Sequence, residues 1–343
     1  MNEESKKMVT RNLTVRFLTP AFLGNADQSG QWRTPPFKHL LREWWRVAWA
    51  AAGGDPTDIP ALRREEARLF GAVADGHGNR SLLRLRLEHW NVGKLQSWNG
   101  NEQGTVHHPE VQRTKYRVGP HAYLGYGPLD GRGGTKLKTN AAIQADERNT
   151  LKLAIPEADA QLIDHALLLL NAFGALGGRS RNGWGSVVLE GDVEAPRLPL
   201  RDWKKCLDLE WAHAIGRDDG GPLVWHTGEG GDWKELMKEL ARIKISVRTQ
   251  FRFRSGKSAL APEERHWLSY PVTNHSVESW GRQRLPNSLR FKVRRGENGR
   301  LYGVIFHMPC RPPEKFRPGE NELHTVWRRV HTFLDGCEGL RRG

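Results

Sequence analysis

The stretch Gly177-Gly178-Arg179-Ser180-Arg181-Asn182-Gly183-Trp184-Gly185-Ser186-Val187 combines four glycines, two arginines and a tryptophan between an apolar helical pattern and a strand pattern. Glycines let backbone N–H groups approach a ligand that a Cβ would keep away, and guanidinium groups offer forked donors that match phosphate oxygens. The alternative is a glycine cap that ends the helix, but one glycine is enough for a cap. The stretch therefore predicts an anion-binding loop, most simply one that holds the phosphates of RNA.

Composition narrows the choice of partner. The chain has 343 residues with 53 Lys+Arg against 39 Asp+Glu, a net charge of +14, which favours nucleic acid or an acidic surface. No apolar run approaches the roughly 20 residues that cross a bilayer, and the polar start resembles no signal peptide. We therefore expect a cytoplasmic protein without a membrane partner. Three scattered cysteines provide neither a disulfide framework nor a metal knuckle, so we expect no cofactor and no metal.

Hydrophobic periodicity predicts the order of elements in the first half of the chain. The predicted elements are strands at 13–17, 81–90, 150–155 and 186–190, with helices from Pro35-Pro36 to Gly53-Gly54 and from Pro156 to about Leu176. This β-α-β-β-α-β order is the ferredoxin-like unit. The stretch 91–149 lacks periodicity and is predicted to be a long insertion within a first domain of residues 1–195.

A second domain is predicted at 201–343, after a linker with Pro196 and Pro199. Apolar and basic residues alternate at 242–254 and again at 289–294, which predicts two strands. A further strand at 301–306 and a helix at 323–334 complete the pattern. The predicted fold class is α+β, with two tandem ferredoxin-like (RRM-like) domains, the second divergent from the first.

Basic and aromatic residues gather on predicted surfaces. On the first helix, Lys38, Arg42, Trp45 and Arg46 share one face by helical spacing, and arginines alternate along the predicted strands of the second domain. A solvated sheet face explains one such strand better than several, because like charges on paired strands repel unless a polyanion neutralises them. Trp45 and Trp184 are predicted to stack on unpaired bases, as proteins do with single-stranded RNA.

Two motifs resemble a known family. The spacing Gly178-x4-Gly183-x-Gly185 resembles the loop of the RAMP superfamily of CRISPR proteins, and FLTPAFLGNADQ (17–28) followed by RTPPFKHLLREWWR (33–46) is similar to the first subunit of the Cmr, or type III-B, effector complex. The resemblance implies a non-catalytic RNA-binding subunit that contacts crRNA or single-stranded target RNA, together with other subunits of the complex, in antiviral defence. His39 and Asn182 depart from the usual glycine and basic residue at their positions.

The predicted RNA-binding residues combine the resemblance with the basic patterns. They are Lys38, Arg42, Trp45, Arg46, Gly177, Gly178, Arg179, Arg181, Asn182, Gly183, Trp184, Gly185, Arg248, Arg252, Arg284 and Lys292.

Two other functions fit the same residues. Some RAMP proteins are metal-independent endoribonucleases that need a general base, for which His39 is the candidate. The resemblance also implies that Asp27 could bind a metal, because target-cleaving relatives use an Asp in a comparable loop. A protein-interaction subunit with incidental RNA contact is the other alternative, because tryptophan and arginine are also common at protein interfaces. We expect no catalytic residue.

Overall fold

The computed structural model describes residues 7–74, 77–111, 117–191 and 194–343, and this part of the chain has an α+β fold with several small sheets. The helices are α1 Thr34–Ala51, α2 Ile59–Phe70, α3 Pro120–Gly125, α4 Ala160–Phe173, α5 Trp203–Cys206, α6 Trp233–Thr249 and α7 Glu320–Asp335. The first ten strands are β1 Met8–Phe17, β2 Ala72–Ala74, β3 His77–Asn79, β4 Arg84–Leu87, β5 Val106–His107, β6 Arg117–Val118, β7 Leu129–Asp130, β8 Lys136–Leu137, β9 Arg148–Pro156 and β10 Val187–Glu190. The remaining strands are β11 Leu200–Asp202, β12 Ile215–Asp218, β13 Gly221–Pro222, β14 Val224–Gly230, β15 Ser258–Ala259, β16 Ser276–Val277, β17 Leu289–Arg295, β18 Leu301–His307 and β19 Leu340–Arg342.

By their internal contacts the residues form two compact units. The first unit runs to Gly100 and also includes Gly125–Pro199 and Lys292–Arg295, and the second comprises Asn101–Leu124, Leu200–Phe291 and Gly296–Gly343. These units differ from the predicted domains 1–195 and 201–343 in two places. Residues 101–124 belong to the second unit, and residues 292–295 belong to the first. Much of the stretch 91–149, expected to be one unpatterned insertion, contains short elements, namely β5 to β8 and α3.

The main sheet of the first unit has the strand order β10-β1-β9-β4, and every neighbouring pair is antiparallel. Its principal elements follow the predicted order β-α-β-β-α-β, with α2 and the insertion added. Alternation along β1 buries Val15 and Phe17, as expected for a sheet covered by helices on one face. Helix α1 packs against α4, where the rings of Trp44 and Phe173 lie 5.8 Å apart.

Helix α1 begins and ends where the sequence predicts. Prolines occupy its first turn, and its last turn is followed by Gly53 and Gly54. A Cβ on Gly54 would lie 2.4 Å from the ring of Trp49, so only glycine allows the chain to turn back at this point.

The main sheet of the second unit has the order β17-β18-β14-β19, and residues 289–291 are the part of β17 that belongs to this unit. Its elements follow the chain as β14-α6-β17-β18-α7-β19, and a separate sheet of β11, β12 and β13 precedes them. The strands predicted at 289–294 and 301–306 and the helix predicted at 323–334 are all present as β17, β18 and α7.

A buried histidine pair lies in the core of the second unit. His307 Nδ1 and His331 Nε2 are 2.9 Å apart, and Ser288 Oγ lies 2.9 Å from His307 Nε2. Burial lowers the pKa of His331 to about 3 and that of His307 well below its ordinary value, and the neighbouring imidazole adds to the effect on His307. Both rings are therefore neutral in the folded protein at neutral pH.

The prediction of a strand at 242–254 is wrong, because most of that segment lies in helix α6. Asp232 caps the start of the helix, because its carboxylate accepts a hydrogen bond from the Lys234 amide. Its buried residues form two stripes at helical spacing, 236-240-243-247 and 237-241-245. Because both stripes are buried, the second half of the helix alternates apolar and basic residues and resembles a strand when it is read alone.

Candidate nucleic-acid interface

The glycine-rich loop, residues 174–186, packs tightly against the segment that follows β1. Gly177 and Gly185 have φ angles of +90° and +65°. A Cβ on Gly177 would lie 2.7 Å from the carbonyl oxygen of Phe22, and one on Gly185 would lie 1.9 Å from that of Leu176. These two glycines are therefore required by the protein's own backbone.

Hydrogen bonds hold the loop from inside. The amides of Gly178 and Gly185 donate to the carbonyls of Phe22 and Pro20, each over 2.9 Å, and the amide of Gly183 donates to Ser180 within the loop. Because these amides are already satisfied, the expectation that they bind a phosphate is wrong for this conformation. These three glycines shape the loop instead.

Two buried hydroxyls complete this anchoring. Thr19 Oγ1 and Ser186 Oγ both donate to the carbonyl oxygen of Gly183, over 2.7 and 2.9 Å, and the Ser186 amide donates to Thr19 Oγ1 over 3.0 Å. Sequence reasoning missed both residues. Their only sequence signal is that each lies within a stretch quoted above, Thr19 in 17–28 and Ser186 in 177–187.

Lys292 was predicted to contact RNA but is buried in the first unit, with 0% exposure. Its Nζ donates to the carbonyls of Leu170 (3.2 Å), Asn171 (2.6 Å) and Val187 (2.8 Å), at the end of α4 and the start of β10. Burial lowers the pKa of Lys292 well below its ordinary value, although the three carbonyl oxygens, two of them in the last turn of a helix, act in favour of the ammonium. Lys292 therefore ties together the two elements that flank the loop.

The two tryptophans predicted to stack on bases are core residues. Trp184 is 0% exposed, with ring centroids 5.3 Å from Phe22 and 5.5 Å from Trp98. Trp45 is 1% exposed and packs edge-on against Phe70 of α2 at 5.5 Å. Neither ring offers a face to a nucleotide in this conformation, so both assignments are corrected to packing.

The outer surface of the loop presents a different aromatic residue. Arg179 is exposed with a φ of +60°, and its Nε donates to the carbonyl oxygen of Tyr126 over 2.5 Å. Tyr126 is 54% exposed, and Lys138 Nζ lies 5.6 Å from the centroid of its ring. We call Tyr126, Lys138 and Arg179 the loop surface cluster. Arg181 and Asn182 lie beside it in the loop and are half-buried.

Sequence reasoning did not find Tyr126 and Lys138, because both lie in the segment interpreted as an unpatterned insertion. The only local signal is the triplet Gly125-Tyr126-Gly127, which places an aromatic ring between two flexible positions. Within the described part of the chain, the fold brings this triplet to the loop although the two are more than 50 residues apart. The cluster joins an exposed ring to two cations, a combination suited to a base and its phosphate.

The basic face predicted on α1 is partly neutralised. Arg42 and Arg46 both donate to the carboxylate of Glu66 on α2, and the Arg42 Nε to Oε1 distance is 2.6 Å. Burial raises the pKa of Glu66, but the hydrogen bonds from the two arginines outweigh it and hold the pKa below its ordinary value. Lys38 is half-buried, and burial and the Arg42 charge lower its pKa. Lys38 has no ion-pair partner among the described residues.

The predicted residues of the second unit have different environments. Arg248 is half-buried on α6, and its Nη1 donates to Ser269 Oγ over 2.8 Å. Burial lowers the pKa of Arg248, and the nearby Arg265 acts in the same direction. Arg252 and Arg284 are exposed.

The residues considered for catalysis lie on the surface. His39 is exposed on the first turns of α1, and Asp27 is exposed in a turn where Asn25 Oδ1 accepts the amides of Asp27 and Ser29, each over 2.9 Å. In the described ranges, no group of three or more His, Cys, Asp or Glu side chains is placed to bind a metal ion. The same ranges contain no helix that could span a membrane.

Comparison with known proteins gives one sequence match. The sequence profile described as the RAMP superfamily matches residues 14–188. No curated protein sequence matches significantly. Among solved structures, the apo crystal structure of Cmr1 from Pyrococcus furiosus is 15% identical with a TM-score of 0.46, covering 97% of this chain and 98% of that chain. A chain of the type III-B Cmr-β complex bound to cognate target RNA and AMPPnP is 11% identical with a TM-score of 0.49, covering 94% and 100%. The profile match spans α1 and the glycine-rich loop.

Proposed function

Because the chain belongs to the RAMP superfamily, we propose that it is a non-catalytic RNA-binding subunit of a type III-B CRISPR effector complex, in contact with crRNA or target RNA and with other subunits. The type III-B assignment rests on the resemblance of residues 17–28 and 33–46 to the first Cmr subunit. The proposal includes a cytoplasmic location.

The observation that supports RNA binding best is the loop surface cluster. An exposed tyrosine ring can stack on an unpaired base, while Arg179 and Lys138 lie where they can meet the adjoining phosphates. The net charge of +14 adds a long-range attraction for any polyanion. Single-stranded RNA fits better than a duplex, because only unpaired bases expose a face for stacking.

We also propose that both units are ferredoxin-like, in tandem, with sequence boundaries near 195 and 201. Two observations support this proposal. The main elements of each unit follow the order β-α-β-β-α-β, and each main sheet, numbered by its own strands, has the order 4-1-3-2.

Fluorescence anisotropy tests RNA binding. The purified protein is titrated into single-stranded RNA, duplex RNA and duplex DNA of equal length, at low and near-physiological salt. We expect a preference for single-stranded RNA that persists at the higher salt. Equal binding to all three that vanishes with salt would refute the proposal, and would favour a protein-interaction subunit with a nonspecific basic surface.

A double variant tests the loop. Arg179→Gly with Arg181→Ala removes two charges, and glycine accommodates the positive φ at position 179. We expect weaker RNA binding and a salt slope flatter by about one to two units. The matched control is Arg63→Ala with Arg64→Ala, two exposed arginines on α2. An equal effect of both double variants would mean that the loop has no special role.

The absence of catalysis is tested by incubating labelled RNA with the protein, with and without Mg²⁺, beside the His39→Ala variant. We expect intact RNA in every case. Cleavage that His39→Ala abolishes would contradict the proposal and establish the metal-independent endoribonuclease instead.

A further inference from the structure

One face of the main sheet of the first unit is open to solvent. On the other face, Arg11 of β1 pairs with Asp164 of α4, with Arg11 Nη2 and Asp164 Oδ2 2.8 Å apart, so odd-numbered residues of β1 point toward the helices. Side chains alternate along a strand, so the even-numbered residues point away from the helices. Thr10 and Asn12 are accordingly exposed.

Strand register aligns basic residues across this open face. Arg86 of β4 lies opposite Lys152 of β9, which lies opposite Asn12 of β1. Arg84 lies opposite Ala154, which lies opposite Thr10. Paired residues in an antiparallel sheet share a face, so Arg84, Arg86 and Lys152 belong to one surface, which we call the open-face patch.

The charges of this patch are poorly compensated within the protein. Arg84 and Arg86 are exposed and make no hydrogen bond or ion pair with any described residue. Lys152 has one acidic neighbour, Glu88, with Nζ and Oε1 3.7 Å apart. Farther along the sheet, Arg16 and Arg148 pair with Glu190, so the uncompensated charge is concentrated on β4.

The side chains of the open face determine which part of a polyanion they can bind. Between the basic residues lie hydroxyl and amide groups, those of Thr10, Asn12, Thr14 and Thr150. The four strands, all within the described residues, present no aromatic ring on this face. Such a surface can donate hydrogen bonds to phosphate and ribose oxygens but cannot stack on bases.

We propose that the open-face patch is a second RNA contact, separate from the glycine-rich loop, that binds the phosphate backbone of single-stranded RNA without regard to base identity. This inference rests on the proposed function and extends it. The alternative is that the two arginines on this edge strand prevent self-association of the protein. Their removal would then increase self-association and leave the salt slope of RNA binding unchanged.

The test compares two double variants of the full-length protein, Arg84→Gln with Arg86→Gln, and the control Arg63→Gln with Arg64→Gln. Both remove two exposed charges, so their difference isolates position from net charge. We expect the first to flatten the salt slope for single-stranded RNA by about 1.4 units, at about 0.7 per phosphate contact. The loss should be the same for oligo-A and oligo-U.

A second readout locates the RNA directly. A photocrosslinking residue replaces Asn12, at the centre of the open face, and in a parallel sample replaces the exposed Glu65 of α2. We expect an RNA crosslink at position 12 and none at position 65.

The outcomes separate this inference from the proposed function. If the unmodified protein binds single-stranded RNA but the two double variants behave alike and position 12 does not crosslink, the open-face patch is refuted and the proposed function stands. Increased self-association of the Arg84/Arg86 variant, measured by gel filtration, with an unchanged salt slope would also refute the patch and indicate edge protection. If the unmodified protein binds no RNA, the proposed function itself fails.

Discussion

Tryptophans are the residues for which the fold changes the predicted role most. Trp184 has no exposed surface, so Trp184→Ala should lower the free energy of unfolding by about 3–5 kcal/mol through loss of packing. Trp90 is 61% exposed, so Trp90→Ala should change the free energy of unfolding by no more than about 0.5 kcal/mol. Urea unfolding measures both, and similar values for the two variants would contradict the burial of Trp184.

Replacing Tyr126 should affect RNA binding rather than stability. Its ring is exposed, so Tyr126→Ala should weaken single-stranded RNA binding by about 1–3 kcal/mol, the usual contribution of one stacked base. Tyr126→Phe keeps the ring and should retain most of the affinity. Anisotropy gives the affinity and a thermal melt gives the stability. A loss of binding in the phenylalanine variant equal to that of the alanine variant would argue against stacking.

Composition at the residue scale predicts that aromatic and basic residues are abundant, but not which of them are exposed. Trp45 and Arg46 are neighbours in sequence, yet one ring is in the core and the adjacent guanidinium meets Glu66. Arg179 is exposed in a loop where glycines surround it. The aromatic residue next to it was missed, because no local pattern reports a contact between residues 126 and 179.

At the scale of elements, Lys292 should act as a support for the glycine-rich loop. Lys292→Met fills a similar volume but leaves carbonyls at the end of α4 and in β10 without their donor, so we expect a loss of about 2 kcal/mol of stability. Lys136→Met, at an exposed position on β8, is the control. Chemical denaturation measures the loss, and equal stability of the two variants would show that the buried amine contributes nothing.

Helix α6 illustrates the limit of periodicity. Ile243, Ile245 and Val247 alternate with polar residues, and β-branched side chains favour strands, so the segment predicts a strand when it is read from residue 242. The helical pattern begins earlier, with the capping residue Asp232 and the buried Leu236. It can be recognised only when residues 232–249 are read together. By contrast, β1 and α1 were predictable because prolines and glycines marked the limits of α1 and each element buries a single face.

For the whole molecule, the His307–His331 pair predicts how stability depends on pH. Unfolded histidine titrates near 6.5, whereas the folded pair stays neutral to far lower pH. Between about pH 6.5 and the lowered values, including about 3 for His331, the unfolded chain binds more protons, so stability falls as pH falls. The slope approaches about 1.4 kcal/mol per pH unit for each histidine.

Urea unfolding between pH 7.5 and 5 checks this dependence. His331→Gln keeps a hydrogen-bonding group beside His307 but removes one titrating ring, so its stability should fall less steeply with acid than that of the unmodified protein. His39→Gln, at an exposed position, is the control. A slope in His331→Gln as steep as that of the unmodified protein would rule out a contribution from the pair.

The hydrogen bonds of Lys292 and Val293 also have a consequence for folding during synthesis. The amide of Val293 donates to Ser186 Oγ across 107 residues of chain, and Lys292 reaches Leu170 across 122. When the glycine-rich loop emerges from the ribosome, the residues that anchor it have therefore not yet been synthesised. The glycine-rich loop can therefore be fully anchored only after residues 292 and 293 have been synthesised.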